Sequence, residues 1–449
     1  MSGPMLWRVL VAGLGTMVVP LDAAVNVAFP DITRAFVLSI PRIQWVVIVY
    51  MLAQTSLMLV FGRLGDMIGY RRVFLAGSAW SVLAFLGCAA APSYPWLLAG
   101  RIAQGIGAGL LLSCGPALAI AGQSEAMRAR LLGLYTMLYS LGFALGPVIA
   151  SVLVDAFRWP SVFWFRAPLA MIAALATWAL PDLPRHGSPE RFDAAGAALL
   201  IGGMVATVLF VDRLQHLAES LLWPVAALLA ACAAFVALLE QERRTAHPII
   251  NLAVFRIAGF GRLNLAATLV NLSCFAVLLL VPFYLARAAV VPVPVTGIVL
   301  ACSAVGMTLA SPLAGLLTSR ADPSTLARVG CVAMAAGLAG VAAAPALPLL
   351  TAALVVQGFG QGLFQVAFLD IVTATLPSSA RGVAGSLGML TRTMGVVIGA
   401  SALTLAFQTM LGVTGGGFVP AFQGVFAIAA AIPAVCAAAL IGRARGNST

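Results

Sequence analysis

The sequence predicts an all-α membrane protein: fourteen transmembrane helices, arranged as two pseudo-symmetric six-helix bundles with a two-helix insertion between them. Three observations carry this. The chain is 62% hydrophobic and 9% charged, with a mean hydropathy of +1.06, whereas a soluble protein keeps about a quarter of its residues charged. Apolar runs near the roughly 20 residues that cross a bilayer recur along the whole chain. A stretch of the first half also returns in the second at a fixed offset.

Charge, Gly and Pro bound these runs at about 9–30, 43–62, 73–91, 97–121, 131–154, 162–180, 194–211, 221–239, 263–286, 295–318, 327–344, 348–373, 383–409 and 420–441. The first carries Asp22 and is longer than a leader's apolar core, so it is expected to stay as a helix. An even number of spans puts both termini on one side. Alternating loops assign Arg8, Arg63, Arg71, Arg72, Arg128, Arg130, Arg185, Arg191, Arg243, Arg244, Arg256, Arg262, Arg320, Arg328, Arg381, Arg443 and Arg445 to that side. Arg34, Arg42, Arg158, Arg213 and Arg287 fall on the other. Seventeen against five marks the first side as cytoplasmic, which predicts an inner membrane with both termini inside.

Composition also excludes chemistry. All 25 basic residues are arginine, so the chain has no P-loop lysine and no lysine Schiff base. Energy for transport would come from an ion gradient or a partner. Cys88, Cys114, Cys232, Cys274, Cys302, Cys331 and Cys436 lie in apolar spans without C-x-x-C spacing and read as small core residues. His186, His216 and His247 fall in predicted loops, so no metal or cofactor site is expected. Topology accounts for the net charge of +11 without nucleic acid. The expected partners are a small-molecule substrate, protons and the lipid bilayer, with the monomer as the working unit.

The repeat is specific. QGIGAGL at 104–110 returns as QGFGQGL at 357–363, and the same offset of 253 carries Arg128 to Arg381, Gly142 to Gly395 and Gly146 to Gly399. Two halves, 1–182 and 257–449, are thus expected on either side of an insertion at 183–256, with the substrate site between the halves. Gly105 with Gly109, and Gly142 with Gly146, stand four apart on one helix face and permit close helix packing.

The loop GRLGDMIGYRRVF at 62–74 combines Gly62, Gly65 and Gly69, which permit a tight turn, with Asp66 among arginines. Its pattern G-x-x-x-D-x-x-G-x-R-R resembles the signature loop of the major facilitator superfamily. RIAQGIGAG from Arg101, GLYTMLYSLGFALGPVIAS from Gly133 and LDAAVNVAFP from Leu21 resemble motifs of its fourteen-helix drug:proton antiporter branch. WPSVFWFRAPLA and HPIINLAVFR extend the likeness over nearly the whole chain. Ala150 and Ser151 replace two glycines usual there. The first-helix motif is one residue short and lacks its threonine, which turns Asp22 about 100° relative to Asn26.

The resemblance implies a major facilitator fold. It implies a cytoplasmic gating role for Gly62, Asp66, Gly69, Arg71 and Arg72, an antiporter motif at Gly133, Gly142, Gly146 and Pro147, and a proton-coupling role for Arg101. Arg101 also stands alone in an apolar helix, where a charge is costly unless it has a partner. At 1.5 Å per residue, Asp22 and Arg101 reach similar depths, roughly 10 and 6–8 Å below the outer surface. They are expected to pair, either as a fixed structural link or as a proton-sensitive one. Asn26, Gln54, Gln104, Tyr139, Asn271, Gln357, Gln361 and Arg392 could line a substrate cavity or bond between helices. Asp370 reads as a loop anchor. The function these features predict is proton-coupled efflux of small, amphipathic or drug-like compounds. Proton-coupled metabolite uptake and a non-transporting receptor are the alternatives.

Overall fold

The computed structural model describes residues 3–121, 123, 125–181, 193–213, 221–245, 260–318, 322–343, 346–375 and 381–440. Among them the only regular structure is helical. The chain divides into two compact units, Met1–Gly202 with Ala234–Ile249, and Gly203–Ala233 with Ile250–Thr449.

The first unit opens with α1 (Gly3–Met17), a 3-10 turn (Pro20–Ala23) and α2 (Ala24–Val27). Short α3 (Phe29–Ala35) and α4 (Ile40–Ile43) lead into α5 (Trp45–Ile68), α6 (Tyr70–Ala89), α7 (Tyr94–Ile120) and α8 (Glu125–Phe157). Short α9 (Ser161–Trp164) precedes α10 (Arg166–Trp178). The chain passes between the units within α11 (Ala194–Arg213) and α12 (Leu222–Arg244). The second unit holds α13 (Phe260–Arg287), α14 (Val293–Thr318), α15 (Pro323–Ala343), α16 (Leu347–Thr375), α17 (Arg381–Val413) and α18 (Phe418–Ala439).

Every expected span falls on a helix, but not every one qualifies as a complete crossing. Twelve described helices are long and apolar enough. A thirteenth follows if α3 and the helix from Ile40, bent by 112°, form one span, and the apolar part of α11 (Ala195–Thr207) is shorter. Large apolar side chains such as Leu83, Ile172, Leu175 and Val332 are exposed, as helices solvated by lipid require.

The expected first span is not continuous. Pro20 has no N–H to donate back to Thr16, so the α-helix stops. The backbone tightens instead, with Val19 N donating to Thr16 O at 3.0 Å and Asp22 N to Val19 O at 3.0 Å. α8 accepts this break through its glycines. A methyl group at Gly142 would meet Pro20 Cγ at 2.7 Å and Met17 O at 2.8 Å, and one at Gly146 would meet Leu21 O at 3.2 Å.

The same logic packs α7 on α5. A methyl at Gly105 would come within 2.6 Å of Tyr50 O, and one at Gly109 within 3.1 Å of Gln54 O. In the second unit Gly362 stands 2.6 Å by the same measure from Met307 O, Gly358 abuts Ser303 O, and Gly395 and Gly399 abut Thr268 O and Leu272 O. The sequence repeat is therefore a repeat of helix contacts: α16 on α14 matches α7 on α5, and α17 on α13 matches α8 on the broken first helix. Apolar cores fill each unit, around Phe74, Leu111 and Leu118 in the first and around Met334, Phe364 and Phe368 in the second.

Candidate functional site

The break in the first helix places Asp22 against two arginines. α7 supplies Arg101, whose Nη1 and Nη2 donate to Asp22 Oδ1 and Oδ2 at 2.6 and 2.7 Å. Its Nε donates to Val46 O at 2.8 Å. One turn on, Gln104 accepts from Arg101 Nη1 at 2.7 Å and donates to Asp22 Oδ1 at 2.7 Å. α10 supplies Arg166, whose Nη1 donates to Asp22 Oδ1 at 2.7 Å and whose Nε donates to Val162 O at 2.9 Å.

Aromatic rings enclose the cations. Arg101 Cζ lies 4.2 Å from the Tyr50 ring centroid and Arg166 Cζ lies 4.6 Å from that of Phe85, with Phe163 beside both. Such contacts contribute about 0.5–1 kcal/mol at exposed sites and about 2 kcal/mol when desolvated. Both arginine side chains are fully buried, while that of Asp22 is 13% exposed. Asp22 is thus the one partly exposed member of the three.

Arg166 is the member of this cluster that the sequence reading did not single out. Its signal was present, a lone arginine inside the apolar stretch of WPSVFWFRAPLA, the same kind of signal as Arg101.

The other expected site residues separate into groups. Asn26 is buried and donates to Ala23 O at 3.2 Å, not to Asp22. Gln54 is buried on α5 and Tyr139 packs edge-on against Phe143 on α8. In the second unit Ser303 Oγ donates to Gln357 Oε1 at 2.7 Å, and Gln357 Nε2 donates to Cys274 Sγ and Gln361 Oε1, each at 3.2 Å. Asn271 donates to Ala267 O at 2.8 Å, and Arg392 is half-buried on α17. Matching glycine contacts put Leu354 in the place of Arg101, Gln357 in that of Gln104 and Ser273 in that of Asp22. The second unit thus keeps the amide and drops the charge triad.

The loop at 62–72 closes as a one-residue turn. Gly69 has φ of +101°, which a side chain disfavours, and its N–H donates to Gly65 O at 2.9 Å. Gly62 has open space around it. Arg71 reaches the last carbonyls of α10, with Nε donating to Thr177 O at 3.1 Å and Nη2 to Trp178 O at 2.5 Å. A cation there also complements the helix dipole. Arg72 is exposed, and the side chain of Asp66 lies outside the described residues. On α8, Gly133 has no neighbour within 4 Å and Pro147 stands inside the helix. His186, His216 and His247 lie outside the described residues, among which no cluster of metal-ligating side chains occurs.

Residues 10–262 and 263–448 both match the family model of the Major Facilitator Superfamily. The chain belongs to the major facilitator superfamily. It is a multi-pass membrane transporter and not an enzyme. Among its superfamily relatives, the uncharacterized transporter YvkA of Bacillus subtilis is 32% identical over 64% of each chain. The multidrug resistance protein Stp of Mycobacterium tuberculosis is 28% identical over 92% of this chain and 78% of its own. The riboflavin transporter RibZ of Clostridioides difficile is 27% identical over 90% and 89%. The fold agrees with that of a bacterial homologue of the human lysosomal transporter Spinster, with a TM-score of 0.72 and 15% identity over 98% of this chain and 97% of that one.

Proposed function

We propose that this transporter exports small, amphipathic compounds in exchange for protons, by alternating access of two six-helix halves, 1–182 and 257–449, with the 183–256 helices peripheral. Asp22 held bidentately by Arg101 at 2.6 and 2.7 Å carries this reading. Protonation of Asp22 removes the charge that satisfies two buried guanidiniums, so it biases the equilibrium between conformations that keep or part these groups. Arg101 and Arg166 face the carboxylate, and Tyr50, Cys88 and Tyr139 are the other titratable side chains nearby. One proton moving down 100 mV releases about 2.3 kcal/mol, enough for roughly a fiftyfold gradient of a neutral solute.

In this reading Gly62, Asp66, Gly69, Arg71 and Arg72 form a cytoplasmic latch, and Gly133, Gly142, Gly146 and Pro147 shape the helix that moves past Asp22. Asn26, Gln54, Gln104, Tyr139, Asn271, Gln357, Gln361 and Arg392 supply hydrogen bonds to substrate. The relatives named for multidrug resistance support export. RibZ supports a second reading, in which the substrate is a vitamin-sized metabolite.

The test is transport in proteoliposomes under an imposed pH gradient, across a panel of drug-like and vitamin-like compounds. Wild-type flux is expected to follow the gradient and to run opposite to the proton. Asp22→Asn is expected to lose the pH dependence, and Asp22→Glu to keep part of it. Undiminished pH dependence in Asp22→Asn would remove Asp22 as the proton carrier.

A further inference from the structure

The Asp22 cluster contains more positive charge than its carboxylate balances. Two guanidiniums and one carboxylate leave a net charge of +1. Gln104, Tyr50, Phe85 and Phe163 complete the enclosure without adding a second anion. The donors are also unequally used. Arg101 engages Nε, Nη1 and Nη2, whereas Arg166 engages Nε and Nη1 and its buried Nη2 has no acceptor among the described residues. A buried charged donor left without an acceptor is costly, and nothing else in the cluster offsets that charge.

We infer that this cluster is a charge filter, with Arg166 as its specificity determinant: it favours anionic ligands and turns away lipophilic cations. The inference rests on the reading of Asp22 as part of the transport site and names the class of compound that site takes. Asp22 is the one partly exposed member of the cluster, and a lone carboxylate there would attract cations. Arg101 cancels that field and Arg166 makes it positive. At the effective dielectric of a protein, a unit charge about 10 Å from a net charge of +1 gains or loses roughly tenfold in affinity. Oppositely charged ligands of equal size should thus differ by more than tenfold. Without Arg166 the cluster is neutral and the discrimination disappears.

Tetraphenylborate and tetraphenylphosphonium test this, being nearly identical in shape and opposite in charge. Equilibrium binding of each to the full-length protein in detergent is measured, with protein-free micelles subtracted. The wild type is expected to bind the borate at least tenfold more tightly than the phosphonium. Arg166→Gln is expected to bring the ratio close to one, and Arg166→Lys, which keeps the charge, to preserve it. Equal affinities, tighter phosphonium binding, binding of neither ion, or a ratio unmoved by Arg166→Gln each overturn the inference; the wild-type ratio decides it alone if Arg166→Gln does not fold. Because binding needs no flux or proton gradient, this ratio can stand when the exchange reading fails, and the Asp22→Asn transport assay can succeed when the ratio fails.

Discussion

Arg101 shows why a buried charge is retained. Its fork meets both oxygens of Asp22 while Nε takes the Val46 carbonyl, a geometry that lysine cannot reproduce. Breaking a buried ion pair costs about 3–5 kcal/mol. Arg101→Ala is expected near the lower end of that range, because Arg166 still faces the carboxylate. Thermal unfolding in detergent should rank wild type above Arg101→Lys, and Arg101→Lys above Arg101→Ala. A midpoint unchanged in Arg101→Ala would mean that the pair holds nothing together. At this scale the pairing of Asp22 with Arg101 was legible, since a lone intramembrane charge demands a partner and helix rise put both at similar depths. Arg166 was not legible as a third member, because which helix faces which is a matter of packing.

At the scale of elements, the glycines divide by what faces them. Gly142 leaves no room for a methyl against Pro20 and Met17, whereas Gly133, on the same helix and in the same motif, faces open space. Gly142→Ala is therefore expected to separate α8 from the broken first helix, lowering both the thermal midpoint and transport. Gly133→Ala is expected to be neutral, or to gain the roughly 0.5–1 kcal/mol by which alanine favours a helix. Equal damage from the two substitutions would show that the motif acts through something other than close packing. The repeat gave the glycine pairs and their partners in the second half. It did not give the break at Pro20, where the composition of a continuous apolar run hides the missing backbone donor. Nor did it reveal that Arg71 caps α10, a contact across more than a hundred residues of chain.

For the whole molecule, the arginine bias predicts both termini in the cytoplasm and the tip at Val37, 91% exposed, on the opposite side. A fluorescent reporter that matures only in the cytoplasm is expected to be active at either terminus, and a periplasmic phosphatase to be active after Val37. Activity at only one terminus would require an odd number of crossings. This measurement also bears on the count, since twelve described helices meet the length of a span and the bent pair and short α11 decide the remainder.

Sequence by itself determined the class of solvent, the sites of the helices, the two-fold repeat and the small residues at its contacts. These follow from local quantities: hydropathy over about 20 residues, the absence of lysine, and spacing along one helix face. Tertiary structure alone decided that Asp22 answers to two arginines, that Ser273 takes its place in the second half, and that the resulting site is net positive. Those depend on which helix faces meet. Two arginines separated by 79 and 144 positions from a shared carboxylate leave no local trace of their meeting until a proline turns one helix and two glycines let another come close.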